Sequence, residues 1–175
     1  EKLKKNSSAP YIINMEPPDG GNFCQCNTCQ HLTVSDQVYS LANKVAEYIY
    51  QKDTNAYVSL YAYNKHAEVP SFELKKNIII GVVPYALQSF GSPETIMKRW
   101  ESTGAKLFLR DYLSIPDWTQ NRPTYQINGS FMNKINNILN NDYLGYNFET
   151  TASFMSVGLQ FYLLSQASWK EIDET

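Results

Sequence analysis

The hydrophobic positions of the chain fall into short blocks whose period switches between that of a strand and that of a helix. PYIINM (10–15) is apolar and β-branched, bounded by Pro10 and PPDGG, and predicts a strand that runs into a loop. Val38, Leu41, Ala42, Val45, Ala46 and Ile49 recur at helical spacing and predict an amphipathic helix over roughly 36–52. Thr33 or Ser35 can cap it, and Asp36 suits its positive end. AYVSLYAY (56–63) reads as a second strand and NKHAEVPSFELKK as a polar connection. NIIIGVVPY (77–85) is continuously apolar, as a strand buried on both faces requires. SPET (92–95) is a helix start with Ser92 as cap and Pro93 in the first turn, and Ile96, Met97 and Trp100 form its apolar stripe. Gly104 stands where a C-terminal cap belongs. AKLFLRDY (105–112) and DYLGYNFE (142–149) predict two further strands. Phe131, Ile135, Ile138 and Leu139 mark a helix between them, and an almost wholly apolar helix (153–169) closes the chain.

Strands alternating with helices imply an α/β fold with a parallel sheet. Four of the five strands end in polar or aromatic residues: Glu16 and Asp19; Tyr61, Tyr63 and His66; Arg110, Asp111 and Tyr112; Asn147 and Glu149. The C-terminal edge of such a sheet is where ligands bind. A closed eight-stranded barrel needs about 200 residues or more. Five strands therefore make an open sheet or, as we favour, the larger part of a (β/α)8 TIM barrel whose remaining strands lie outside the chain.

Composition narrows the class. Of 175 residues, 43% are hydrophobic and 18% charged, which suits one folded domain with a sizeable core. A net charge of −2 gives no electrostatic reason to expect nucleic acid or an acidic membrane as a partner. EKLKKNSSAP lacks the apolar core of a signal peptide, and no run of eighteen apolar residues predicts a membrane span. Thirteen Tyr, eight Phe and three Trp are enough aromatic surface to stack on flat ligands such as sugars, although packing accounts equally for many of them.

All three cysteines fall in one stretch, C-x-C-x-x-C-x-H, formed by Cys24, Cys26, Cys29 and His31. Three thiolates and an imidazole match the ligand count of a structural zinc site, in a loop tighter than the usual two separated pairs. A disulfide from Cys29 to Cys24 or Cys26 is the second reading, and three reduced, packed thiols the third. Cys–His catalysis is the least favoured. On any of the first three the motif fixes the long first loop and positions Asp19.

The order of short strand, Asp19-Gly20, Phe23, Cys24-x-Cys26-x-x-Cys29, Ser35-Asp36 and helix resembles the DUF4838 family of bacterial proteins. AYVSLYAY, the buried IIIGVV strand, Trp100-x(9)-Arg110-Asp111-Tyr112 and YNFE before a long helix follow the same order, so the resemblance spans roughly 10–170. The family is related to α-glucuronidases and other glycoside hydrolases with a TIM barrel. The resemblance therefore implies polysaccharide degradation with no cofactor required, in a periplasmic or secreted protein. It also implies that an N-terminal domain and the first barrel strands lie outside this chain.

Glycoside hydrolysis uses two carboxyl groups flanking one bond. Asp19, Glu16 and Glu149 are the catalytic candidates, with Asp19 or Glu16 working opposite Glu149. Glu149 is the one acidic residue from Tyr143 to Trp169, and burial there would raise its pKa as a general acid requires. Its alternative roles are to cap the next helix or to pair with Arg110. Asp19 in PPDGG also has a plain turn reading. Arg110 and Asp111 form an ion pair or hold sugar hydroxyls or a uronate, since Arg grips carboxylates with a bidentate fork. Tyr61, Tyr63, Tyr112, Trp118 and Asn147 complete the candidate substrate-binding set, and His66 reads as a solvated loop residue. The leading expectation is a glycoside hydrolase acting on an oligo- or polysaccharide. A non-catalytic carbohydrate-binding or scaffold module, with zinc at the cysteine loop, is the alternative.

Overall fold

The computed structural model describes residues 9–19, 21–84, 92–112 and 143–149, together with 158, 161–163, 165 and 166. The chain divides into two compact units, Glu1–Leu107 and Phe108–Thr175. The first holds β1 (Tyr11–Asn14), α1 (Val34–Lys52), β2 (Ala56–Ala62), β3 (Ile78–Val82), α2 (Pro93–Glu101) and the start of β4 (Lys106–Tyr112). The second holds the rest of β4 and β5 (Tyr146–Glu149).

Strands β1 and β2 pair in parallel from Tyr11↔Ala56 to Asn14↔Ser59, and β2 and β3 from Val58↔Ile78 to Ala62↔Val82. Strands β4 and β5 pair in parallel from Leu109↔Tyr146 to Tyr112↔Glu149. The strand order, β1-β2-β3-β4-β5, follows the chain. This is the α/β class of parallel βα repeats that the alternating blocks predict, consistent with a partial (β/α)n barrel. All five residues of β3 are buried, whereas β2 alternates, burying Ala56, Val58, Leu60 and Ala62 and leaving Tyr57, Ser59 and Tyr61 half-buried.

Helix α1 starts where its cap chemistry dictates. Thr33 Oγ1 accepts the Asp36 N–H at 3.0 Å, closing one of the free donors of the first turn. Its buried face is Ser35, Asp36, Tyr39, Ala42, Ala46 and Ile49, which differs from the predicted stripe. Leu41 is 57% exposed and Tyr39 is fully buried. The physical reason is that Tyr39 brings both apolar area and a hydroxyl that main-chain carbonyls can use, so it outcompetes Leu41 for the inward position. Helix α2 has Ser92 as cap and Pro in its first turn, as predicted, and Gly104 takes a φ of +70° just beyond its end.

The core of the first unit centres on Trp100, Tyr39, Leu60, Ile78, Ile80, Ile96, Val58 and Val82, all under 2% or at 2% exposure. Each large apolar side chain buried there contributes about 1.5–3 kcal/mol. The polar groups of Trp100 and Asn77 in this core are matched. Trp100 Nε1 donates to the Ala67 carbonyl at 2.8 Å, and Asn77 Nδ2 donates to the carbonyls of Ala46 and Ala56 at 2.9 and 3.0 Å. No described helix is long and apolar enough to cross a membrane. The helix expected around Phe131–Leu139 lies outside the described residues. Of the expected C-terminal helix, residues 158, 161–163, 165 and 166 are helical.

Candidate functional site

Strand β1 ends because Pro17 and Pro18 follow Glu16 and cannot donate to a ladder. The last main-chain bond of the β1–β2 ladder is Met15 N–H to the Ser59 carbonyl, 3.0 Å. Beyond it, the Glu16 carboxylate does what a strand carbonyl would do. Its Oε2 accepts the Tyr61 N–H at 2.6 Å. Its Oε1 lies 3.1 Å from Nε2 of His66. A carboxylate offers only acceptors, so Nε2 carries the proton of this bond.

His66 is 3% exposed, which corrects the solvated reading. The polar connection after β2 contains a single 3-10 turn, Asn64–His66, whose first residue Asn64 holds a φ of +49°. Asn tolerates that left-handed geometry, and the turn swings the imidazole inward. Phe23 and Tyr39 meet the ring edge-to-face at centroid distances of 6.4 and 6.3 Å. The Tyr39 hydroxyl lies 3.0 Å from the Tyr61 carbonyl and 2.9 Å from that of His66. Burial, with a smaller contribution from the Glu16 charge, pushes the Tyr39 phenol well above its usual range, so it stays a neutral donor. His66 Nδ1 is buried and has no hydrogen-bond partner among the described residues.

Asp36 anchors the loop that follows. Its Oδ1 accepts the Ser71 N–H at 2.7 Å. Burial works to raise its pKa, but the hydrogen bonds from Ser71 and Thr33 outweigh it, and the carboxyl lies below its usual range. Asp19 is exposed, at a bend of the chain, and the Gly20 half of its expected turn lies outside the described residues.

In the second unit, Arg110 donates from Nη1 to Asn147 Oδ1 at 3.0 Å and from Nη2 to the Glu149 carboxylate. The pairing weighed as an alternative role for Glu149 is thus present. Adjacent strand residues face opposite sides, so Arg110 shares a face with Asn147 and Glu149, and Asp111 takes the other. Tyr112 ends β4. Tyr61 and Tyr63 flank the C-terminal end of β2, both half-buried. Trp118 lies outside the described residues.

The cysteine loop is held by local main-chain bonds, Gln30 N–H to the Cys26 carbonyl and Leu32 N–H to the Cys29 carbonyl, both 3.0 Å. Gln37 of α1 adds a bond to the Cys29 carbonyl at 2.9 Å. Cys24, Cys26 and Cys29 are free thiols whose sulfurs all lie within 4.8 Å of one another, close enough to share a metal ion. His31 is not in that group. Its ring sits 3.5 Å from the Gln30 amide. The cluster of ligand atoms thus comprises the three sulfurs, with His31 in the last position of the 3-10 turn Cys29–His31.

A family model described as "Domain of unknown function (DUF4838)" matches residues 1–174. The chain belongs to the DUF4838 family. Searches of curated proteins and of solved structures give no match. Within this DUF4838 chain, the residue that sequence reasoning missed is His66. One signal for it was available: a histidine in an otherwise polar loop is followed directly by Ala67, a small apolar residue that is itself fully buried.

Proposed function

We propose that this DUF4838 chain is a glycoside hydrolase-like domain acting on an oligo- or polysaccharide, with Glu16 as its principal catalytic carboxylate. One observation carries the reading. Glu16 stands just past the C-terminal end of β1, 17% exposed at the side chain, and is held by two N–H donors from different elements, Tyr61 and His66. Ligands of parallel α/β sheets bind at that edge, and a fixed carboxylate that keeps part of its surface exposed suits a base or nucleophile. Tyr61 and Tyr63 beside it offer faces on which a sugar ring can stack. Asp19, three residues on and exposed, is the candidate for the second carboxyl within the same unit. The rest of the barrel would come from outside this chain. The exposure of Ile12 (58%) on the edge strand β1 and of Leu41 and Tyr48 on α1 supports that.

A preference for acidic sugars rests on the family resemblance, because the fork of Arg110 is already committed to Asn147 and Glu149. That same commitment favours a second reading, a binding module without turnover, since it removes one oxygen of Glu149 from substrate chemistry. Zinc at the cysteine loop would hold the first loop in place and take no part in turnover in either case.

The test is hydrolysis of a panel of neutral and uronic-acid-containing oligosaccharides by the full-length protein. Glu16→Gln, shown to unfold cooperatively, should lower turnover by about 10²–10⁴-fold with binding retained. Binding without turnover in the wild type selects the module reading, and neither binding nor turnover overturns both.

A further inference from the structure

We propose that Cys24, Cys26 and Cys29 form an open three-thiolate site for a thiophilic d10 cation, Zn(II) in the first instance, with its fourth coordination position facing solvent. Three features carry this. The sulfurs are mutually within 4.8 Å. A zinc ion with Zn–S bonds of about 2.3 Å in tetrahedral geometry places its sulfurs about 3.8 Å apart, so the loop needs to contract by no more than about 1 Å. The contraction asks only for side-chain rotation in a loop whose main chain is already set by the Cys26–Gln30 and Cys29–Leu32 bonds.

Cys24 and Cys26 are exposed, so an ion can enter without the loop unfolding.

Three thiolates select soft cations over Mg(II) or Ca(II). With His31 outside the group, the fourth position falls to water or to an added ligand, which distinguishes this site from a closed structural one. The loop ties to α1 through Gln37 and to the Asn64–His66 turn through Phe23, so an ion bound here would order the segment that begins at Glu16. The site shares no residue with the carboxylates and does not depend on the sugar reading.

The test uses reduced full-length protein and Zn(II) alone, read by competition with a chromophoric chelator, with Co(II) as the spectroscopic probe. One equivalent should bind, and the Co(II) complex should show thiolate charge-transfer absorption of three sulfurs. Cys24→Ser, Cys26→Ser and Cys29→Ser should each weaken binding by more than about 100-fold, the upper end of what losing an outer partner costs, while His31→Ala should leave it unchanged. Bound Zn(II) should raise the unfolding temperature, since it binds the folded chain. Absence of stoichiometric binding overturns the site, as does binding that survives Cys24→Ser. A loss in His31→Ala equal to that of a cysteine variant overturns its open character.

Discussion

Glu16 and His66, fifty residues apart in the chain, meet through Oε1 and Nε2 at 3.1 Å with the imidazole almost wholly buried. The carboxylate that replaces a strand carbonyl at the end of β1 also neutralises the ring donor that the Asn64–His66 turn drives inward. Each residue satisfies what the other would leave unmatched.

Glu16→Gln should therefore destabilise the protein although it removes no volume. If the amide oxygen keeps the Tyr61 N–H, the amide nitrogen faces the His66 Nε2–H, donor against donor. Moving the ring proton to Nδ1 lets Nε2 accept from the amide, but it turns the unmatched Nδ1 acceptor into an unmatched buried donor, the costlier of the two. Turning the amide over moves the same conflict to Tyr61. The cost of one unmatched buried donor is about 1–3 kcal/mol, read from urea unfolding of variant and wild type at neutral pH. Equal stability would show that the pair is not formed in solution.

Tyr39→Phe isolates the hydroxyl that links the Tyr61 and His66 carbonyls. The ring packing on Trp100, at a centroid distance of 5.4 Å, is kept. A loss of about 1–2 kcal/mol is expected from the hydrogen bond alone. A loss near zero would mean that water replaces the hydroxyl.

Most of this architecture is legible in the sequence, and the parts that are not have a common cause. The continuous apolar run of β3, the Ser92-Pro93 start of α2 and the Thr33 cap are local signals, and each element forms within a few residues of its predicted bounds. The orientation of α1 depends on which side chain best fills a space lined by residues far along the chain. Tyr39 displaces Leu41 there because its hydroxyl finds the carbonyls of Tyr61 and His66, 22 and 27 residues away. The candidate site divides in the same way. Glu16 at a strand end could be named from its position, whereas its partner His66, and the exclusion of His31 from the sulfurs, depend on how two short 3-10 turns rotate their last residues.

Asp36 should make stability depend on pH in the acid range. Its folded pKa lies below the ordinary carboxylate value, so its contribution is complete above the unfolded pKa of about 3.9 and is lost as pH falls through the folded value. Asp36→Asn should cost about 1–2 kcal/mol at pH 7, through the weaker bond to Ser71 and the lost dipole interaction at the start of α1. The gap between variant and wild type should close on acidification below the usual carboxylate range. A gap of constant size across that range would rule out the charged hydrogen bond as its source.

Thiol reactivity should single out one cysteine in metal-free, reduced protein. Main-chain N–H donation from Cys29, with further hydrogen bonds from Cys24 and Thr28, brings the Cys26 thiol down to about 7, while hydrogen bonding to Cys26 and Cys24 pushes that of Cys29 up to about 11. The thiolate is the nucleophile, so a limiting dose of iodoacetamide at pH 7 should modify Cys26 ahead of Cys29, as read by peptide mass mapping. Cys29 should react only after the loop is unfolded or strongly alkaline conditions are reached. Equal labelling at pH 7 would show that the turn is not held in solution.

Arg110 and Glu149 test whether the end of β5 is structural or catalytic. The guanidinium is 14% exposed and the carboxylate 36%, so solvent screens the pair and its worth is modest. A double-mutant cycle with Arg110→Met and Glu149→Met should give a coupling of about 1 kcal/mol that shrinks as salt is added. If that coupling accounts for Glu149, then Glu149→Gln should leave sugar turnover within a few-fold of wild type, and the second carboxyl of the proposed hydrolase is Asp19. If Glu149→Gln instead removes turnover at unchanged stability, the Arg110 pair holds a catalytic carboxylate in place. Arg110→Met should then also lower turnover while leaving substrate binding intact.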